Sequence, residues 1–247
     1  MKILARILLL SAILFSLSTC KKFEPEGEKE VTSRDFLASQ NFDQLKIDIV
    51  YVDGYEPNDA ALDALHSFLL QVLHKPKGIT FHKTEIAVPS NHTYTVDDIK
   101  KIEEDHRTIS TDFDKKVLGA FIFYANKNYA GNSGNSKTLG VQYGTTSMAI
   151  FKSTINEFSG GLTQPSTYKL ETTVLEHEFG HTLGLVNVGT STVQDHEDAG
   201  HPGHCDNENC LMYYKVESSE FASLLFGEEI PTLDAQCMED LKANGGK

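Results

Sequence analysis

Apolar and polar residues alternate along this chain in patterns that predict strands in four segments. Residues 45–53 (LKIDIVYVD) alternate and are rich in Ile and Val, as expected of a strand. Residues 116–124 (KVLGAFIFY) are almost continuously apolar, which indicates a strand buried on both faces. Residues 78–86 predict another strand, and residues 139–151 predict one strand or a pair broken near Gly144.

Helical periodicity predicts four helices between and after these strands. Pro57 and Asn58 open the first, whose apolar face carries Leu62, Leu65, Leu69, Val72 and Leu73. The others are predicted over residues 96–106, 168–185 and 232–243. Loops are predicted over residues 125–136 and 187–209, where Gly and Asn are frequent. This order of elements predicts an α+β fold in which helices pack on a twisted mixed sheet.

The first 20 residues have the pattern of an export signal. Lys2 and Arg6 precede a short apolar run over residues 7–17, shorter than the roughly 20 residues that span a membrane. The following Leu-Ser-Thr-Cys sequence ends at Cys20 and resembles the lipobox of bacterial lipoproteins. That resemblance implies a lipid on Cys20 and a location in the bacterial cell envelope. An ordinary secretory signal is the alternative.

The net charge bears on the choice of partner. The chain has 247 residues, enough for one sizeable core, and a formal charge of -13. Loss of the first 19 residues would make it more acidic still, because Lys2 and Arg6 are charged and no acid accompanies them. An acidic surface repels phosphate backbones, so no nucleic acid is expected as a partner.

The strongest chemical signal is the sequence H-E-x-x-H at residues 177–181, within a predicted helix. The four-residue spacing puts His177 and His181 on one helix face, where both imidazoles can bind one ion. Neutral imidazole suits Zn²⁺. Glu178 is then expected to face the open coordination position and to act as general base on a metal-activated water. Two histidines on a solvated helix would be the plainer interpretation, which the helical context disfavours.

A catalytic zinc ion with two histidines needs a third protein ligand. The sequence continues to Gly184, where a left-handed residue can end the helix. This continuation resembles the metzincin clan of zinc metalloproteases, whose extended motif is H-E-x-x-H-x-x-G-x-x-H/D. Asn187 stands where that clan has its third ligand. Asparagine is a poor zinc ligand, so we expect the third ligand further along the chain.

Residues 204–212 carry a second resemblance. His204, Cys205, Cys210 and Met212 match H-C-x4-C-x-M, which in archaemetzincins begins with the third zinc ligand. The resemblance therefore implies His204 as that ligand. The alternatives that remain open are His201 and His196, followed by Asp195 and Asp198.

The same resemblance implies roles for two residues beyond Cys210. Met212 falls where metzincins place the Met-turn, whose thioether packs beneath the zinc site. Tyr214 has the spacing of a tyrosine that, in some metzincins, touches the metal or the tetrahedral intermediate. It is a candidate donor to the developing oxyanion, with a plain buried tyrosine as the alternative.

Cysteine usage predicts at most one internal disulfide. An exported domain can form disulfides, and Cys205, Cys210 and Cys237 are the cysteines beyond Cys20. Cys205 and Cys210 are close enough to close a small loop, so their bridge is favoured, and pairing with Cys237 stays open. Archaemetzincins hold a second, structural zinc ion with four cysteines. Since one cysteine alone follows Cys210, no four-cysteine site is expected here.

The resemblances imply a zinc metallopeptidase that acts as an endopeptidase on protein or peptide substrates, from a group of lipid-anchored bacterial metalloproteases. A monomer is expected. The rival hypothesis is a cell-surface binding lipoprotein with a structural or vestigial metal site. Glu178 argues against it, because a structural site has no use for a carboxylate beside an open position. A calcium module built on Asp195, Glu197 and Asp198 lacks the spacing of an EF-hand.

The implied domain organisation is a signal peptide over residues 1–19, a tether over residues 20–43 and a catalytic domain over residues 44–247. The catalytic domain would comprise an N-terminal subdomain, 44–185, and a smaller irregular C-terminal subdomain, 186–247. A metzincin-like fold also implies an antiparallel edge strand that binds the substrate backbone. Residues 140–151 are the candidate for that edge.

Overall fold

A computed structural model describes residues 30–88, 93–133 and 135–247. The predicted signal peptide, the lipidation of Cys20 and the first part of the predicted tether lie outside these residues. Within the described ranges, no helix combines the length and the apolar character needed to cross a bilayer. Residues 31–247 form one compact unit.

A five-stranded mixed sheet forms the centre of this unit, in the strand order β2-β1-β3-β5-β4. The strands are β1 (Gln44–Val52), β2 (Ile79–Ile86), β3 (Val117–Tyr124), β4 (Gly140–Gly144) and β5 (Ser147–Ile150). The pairs β1–β2, β1–β3 and β3–β5 are parallel, and β4 lies antiparallel to β5 at one edge. All four predicted strand segments are confirmed, including the break near Gly144.

The described part of the chain forms seven α-helices and one 3₁₀ helix. They are α1 (Ser33–Leu37), α2 (Asp59–Val72), α3 (Val96–His106), α4 (Lys152–Glu157), α5 (Thr167–Thr182), the 3₁₀ helix (Tyr214–Glu217), α6 (Ser219–Leu225) and α7 (Ala235–Ala243). The four predicted helices correspond to α2, α3, α5 and α7, which confirms the α+β class. The others were not predicted because they are too short to show a helical period.

Helix α5 is buried on nearly all sides. Ser166 caps its start at Thr167, and the Ser166 side chain accepts the backbone N–H of Lys169. It ends at Thr182, three residues before the predicted end, because Gly184 adopts a left-handed φ of 82°. Its buried Glu171 forms an ion pair with Lys152 and accepts the backbone N–H of Asn58 at 2.8 Å. The helix is therefore tied by charge and hydrogen bonds to α4 and to the start of α2.

The residues before β1 belong to the core. Phe36, Leu37 and Phe42 are fully buried, and the ring of Phe36 meets the ring of Phe179 edge-on at 6.1 Å between centroids. The predicted tether is therefore wrong for residues 31–43, since the packed unit begins at Val31. Three apolar side chains spread over seven residues form no recognisable period, so the sequence does not reveal the packing.

A buried lysine fixes this N-terminal segment to the end of α2. Lys75 Nζ donates to the carbonyl oxygens of Asp35, Ala38 and Phe42 at 2.6, 2.6 and 2.8 Å. Burial lowers the pKa of Lys75 to about 8, against the raising influence of nearby acids. The segment is thus held by polar as well as apolar contacts.

Substitution of Phe36 tests whether this segment is structural. We expect Phe36→Ala to lower the free energy of unfolding by about 3–5 kcal/mol, because it leaves a cavity against Phe179. Phe226→Ala is the matched control, since that ring is 48% exposed and its loss should cost under about 1 kcal/mol. Urea unfolding at fixed metal concentration measures both. Equal midpoints would contradict the assignment.

Candidate metal centre

Helix α5 brings His177 and His181 together. Their Nε2 atoms lie 3.1 Å apart, as the four-residue spacing predicts. Nδ1 of His177 is 2.7 Å from the carbonyl oxygen of Leu211. Because a carbonyl only accepts, this Nδ1 carries the proton, and Nε2 presents its lone pair. Burial lowers the pKa of His181 to about 4, so this imidazole is neutral at physiological pH.

His204 joins this pair from the loop after α5. Its ring stacks on that of His177 at 5.4 Å between centroids and meets that of His181 at 4.9 Å. The backbone helps to place it, because the carbonyl of His204 accepts the N–H of Asp198 at 2.8 Å. The three imidazoles belong to one group whose ligand atoms all lie within 4.8 Å of one another.

The alternative third ligands have other partners. His201 is 43% exposed, pairs with Asp198 at 2.7 Å, and stacks on Tyr214 at 3.4 Å between ring centroids. His196 is buried and lies 2.7 Å from the carboxylate of Asp240. Asp195 is exposed on the loop. Among the candidates named from the sequence, the structure therefore groups His204 alone with the helix histidines.

Glu217 is a member of the group that sequence reasoning missed. Its Oε1 lies 3.1 Å from His204 Nε2 and 3.2 Å from His181 Nε2. The distance to His177 Nε2 is 3.6 Å. Glu217 ends the 3₁₀ helix, five residues after Met212. No helical or strand period marks this short element, so no sequence pattern indicated that its last carboxylate turns toward the histidines.

Glu178 lies in the interior beside this group. Both of its carboxylate oxygens are buried, and neither has a hydrogen-bond partner within the described ranges. Burial, with repulsion from Glu217, raises its pKa well above the ordinary value, and the backbone of Gln142, which is near the carboxylate but outside hydrogen-bonding geometry, offsets part of that shift. The close approach of strand β4 depends on Gly140, since a Cβ there would lie 2.7 Å from Glu178 Oε1.

Met212 packs against the helix turn between the two histidines. It is fully buried, and a Cβ on Gly180 would lie 2.3 Å from its Sδ. Glycine at position 180 thus lets the thioether reach the α5 backbone. Tyr214 begins the 3₁₀ helix and stacks on His201. Its part in catalysis stays a prediction.

The three later cysteines converge on a second point. All three thiols are buried and free, and Cys210 Sγ lies 3.6 Å from Cys237 Sγ. The carboxylate of Asp234 joins them, with Oδ2 at 3.4 Å from Cys205 Sγ. The predicted Cys205–Cys210 disulfide is therefore wrong. Asp234 caps α7 and accepts the N–H of Cys237 at 2.9 Å, which carries that thiol toward the other two.

This cysteine cluster (Cys205, Cys210, Cys237 and Asp234) favours a thiolate. Hydrogen bonds from the Cys205 and Cys237 thiols lower the pKa of Cys210 to about 4. Nδ1 of His196 lies 3.4 Å from Cys205 Sγ, so this histidine contacts the cluster and not the imidazole group. Three thiols and one carboxylate within 4.8 Å form a second group that can hold a metal ion.

Comparison with solved structures identifies the fold. The chain is similar to the crystal structure of archaemetzincin from Methanopyrus kandleri, with a TM-score of 0.53 and 17% sequence identity over 82% of this chain and 96% of that one. A zinc-dependent peptidase from Methanocorpusculum labreanum has a TM-score of 0.46 and 13% identity, over 78% and 99% of the two chains. No protein-family model and no curated protein sequence matches. The first likeness shows an archaemetzincin-like fold, which confirms the predicted zincin-like architecture.

The contact between Gly180 and Met212 can be tested directly. Alanine at position 180 would gain about 1 kcal/mol of helix propensity but would force the buried thioether aside, at about 1–3 kcal/mol. We expect Gly180→Ala to be destabilising in urea unfolding. In a Met212→Ala background the same change should be neutral or stabilising, because the clash is gone. Equal effects in both backgrounds would contradict the contact.

Proposed function

We propose that this chain is a zinc-dependent endopeptidase whose metal is held by His177, His181 and His204. One observation carries the proposal: Glu178, a fully buried carboxylate with no hydrogen-bond partner among the described residues, lies beside three convergent imidazoles. Burial of an unpartnered carboxylate is costly, and such groups are concentrated at functional sites. The archaemetzincin-like fold agrees with this function.

The donor set fits zinc. Neutral imidazole is a common zinc ligand, and catalytic zinc sites use three protein ligands with one further position. His181 is neutral, and the hydrogen bond from His177 Nδ1 to Leu211 fixes the orientation of that ring. Because Nδ1 of His177 donates to this carbonyl, the free lone pair of the ring is on Nε2.

The chemistry requires a base beside the metal. A bound zinc ion would polarise the substrate carbonyl and make a coordinated water more acidic. Glu178 takes the proton of the attacking water and passes it to the leaving amine. The low-polarity surroundings of this carboxylate make it a stronger base than an exposed glutamate.

Strand β4 is the proposed substrate platform. It lies at the edge of the sheet, next to β5, and its residue Gly140 touches Glu178. An extended peptide that pairs with the open side of β4 would run past the general base. Recognition through main-chain hydrogen bonds suits an endopeptidase, because it needs no chain terminus.

We further propose that the cysteine cluster binds a second, structural zinc ion. In a tetrahedral site with Zn–S bonds of about 2.3 Å, neighbouring sulfurs lie about 3.8 Å apart. The 3.6 Å between Cys210 and Cys237 is close to this value. Asp234 would supply the fourth ligand, so the site would be closed and would stabilise the loop that carries His204.

A second candidate function is a cell-surface binding lipoprotein whose metal at the histidines is structural. Glu217 favours it, because this carboxylate fills the fourth position of the imidazole group. The buried Glu178 has no part in such a site, and for that reason we prefer the peptidase. In either case we propose anchoring to the bacterial envelope through a lipid on Cys20.

Replacement of the general base tests the peptidase. We expect Glu178→Gln to keep its fold and zinc and to lose about 10²–10⁴-fold in peptide hydrolysis. Glu176→Gln, a conservative change on the same helix, is the control and should retain activity. Mass-spectrometric profiling of a peptide library, with and without a chelator, measures cleavage. Hydrolysis by Glu178→Gln at the wild-type rate would refute the assigned base.

Metal counting tests the two proposed sites separately. The purified protein should hold two zinc ions per chain, and His204→Ala and Cys237→Ser should each lose one, because each removes a ligand of a different site. His201→Ala should lose none, since its ring pairs with Asp198. Elemental analysis after gel filtration gives the counts. Full zinc content in His204→Ala would move the third ligand elsewhere.

A further inference from the structure

The fourth side chain of the histidine group has the spacing of a metal ligand. Ligand atoms bound at about 2.0–2.1 Å in a tetrahedron lie about 3.3 Å from one another. Glu217 Oε1 is 3.1 Å from His204 Nε2 and 3.2 Å from His181 Nε2. The distance from Glu217 Oε1 to His177 Nε2 is 3.6 Å, so Oε1 lies near the tetrahedral spacing from all three nitrogens. The carboxylate therefore stands at the apex where a fourth ligand would bind.

The backbone around Glu217 is firmly held. Its carbonyl accepts the N–H of Leu139 at 2.7 Å, and the N–H of Ser219 donates to the carbonyl of Lys137 at 2.8 Å. These bonds join the end of the 3₁₀ helix to the residues that lead into β4. The position of Glu217 is thus fixed relative to the proposed substrate strand.

The side chain of Glu217 is much less enclosed than its partners. It is 37% exposed, whereas those of His177 and His181 are 0% and 7% exposed. Rotation about its own side-chain bonds can carry the carboxylate into water without breaking the backbone bonds. Water can solvate the carboxylate there, so the carboxylate can leave the histidine group without being buried elsewhere as an unpaired charge.

We propose that Glu217 is a displaceable fourth metal ligand that closes the site until an oxygen ligand from substrate takes its place. The incoming group is a carbonyl or similar oxygen donor, and the carboxylate leaves toward solvent. This inference rests on the proposed function in so far as His177, His181 and His204 must hold zinc. The resting chain is then self-inhibited, since the position needed for the reaction is occupied.

Binding of a small zinc ligand tests the proposal without relying on catalysis. Acetohydroxamate, titrated calorimetrically into the zinc-loaded full chain, needs the position that Glu217 fills. When a site is open for only a fraction of the time, apparent affinity falls by that fraction. If the closed form dominates at about 90% or more, Glu217→Ala should bind acetohydroxamate at least about tenfold more tightly than wild type.

Glu220→Ala is the matched control. Glu220 is exposed in the first turn of α6, three residues beyond Glu217, and its loss removes the same charge. It should leave the hydroxamate affinity unchanged. Zinc content is measured on every sample, and Glu217→Ala should retain the metal at the histidines.

Three results would overturn the inference. Equal affinity in Glu217→Ala and wild type would make Glu217 a bystander, and loss of the histidine-bound zinc in Glu217→Ala would make it an obligatory ligand. A wild-type chain without zinc at the histidines would remove the proposed function as well. By contrast, tighter hydroxamate binding without any peptide hydrolysis would sustain the role of Glu217 and refute the peptidase.

Discussion

The convergence of three imidazoles on one point is the constraint on which the rest of this structure depends. Two of them come from α5, so that helix must stay in place relative to the loop that supplies the third. The ion pair of Glu171 with Lys152 holds one end of α5, and the ring of Phe36 packs on Phe179 near the other. A helix fixed in this way keeps its ligand atoms in position, which lowers the cost of assembling a metal site.

The cysteine cluster holds the loop that carries His204 in place. Cys205 follows His204 directly, and its N–H donates to the carbonyl of Met212 at 2.8 Å. His204 thus faces the imidazole group, while Cys205 is held among the thiols. The 22 residues between α5 and Cys205 contain little regular structure, so local hydrogen bonding alone would leave His204 poorly placed. Convergence of Cys205, Cys210 and Cys237 supplies the missing restraint.

Sequence patterns predicted the long elements and the proximity of the two helix histidines because both follow fixed periods. Strands 44–52 and 117–124 show the expected apolar runs, and the spacing of His177 and His181 is that of one helical turn. The contributions of Glu217 and Asp234 depend on a 3₁₀ helix and a helix cap, and such short elements have no period to detect. The disulfide prediction failed for a related reason, since proximity in sequence does not reveal that a third thiol and a carboxylate meet at the same place.

Two carboxylates with opposite surroundings lie at the histidine site, and the contrast suggests how one fold can be both stable and reactive. Glu178 is buried with no hydrogen-bond partner in the described part of the chain, which costs stability and keeps the carboxylate strongly basic. Glu217 is partly solvated, and its Oε1 lies 3.1 to 3.6 Å from the Nε2 atoms of the three imidazoles. If both were ligands the site would be saturated, and if both were solvated neither would be an effective base. The proposed ligand lies on a surface-facing 3₁₀ helix and the proposed base lies inside α5, so the exposed group can leave and the buried group cannot.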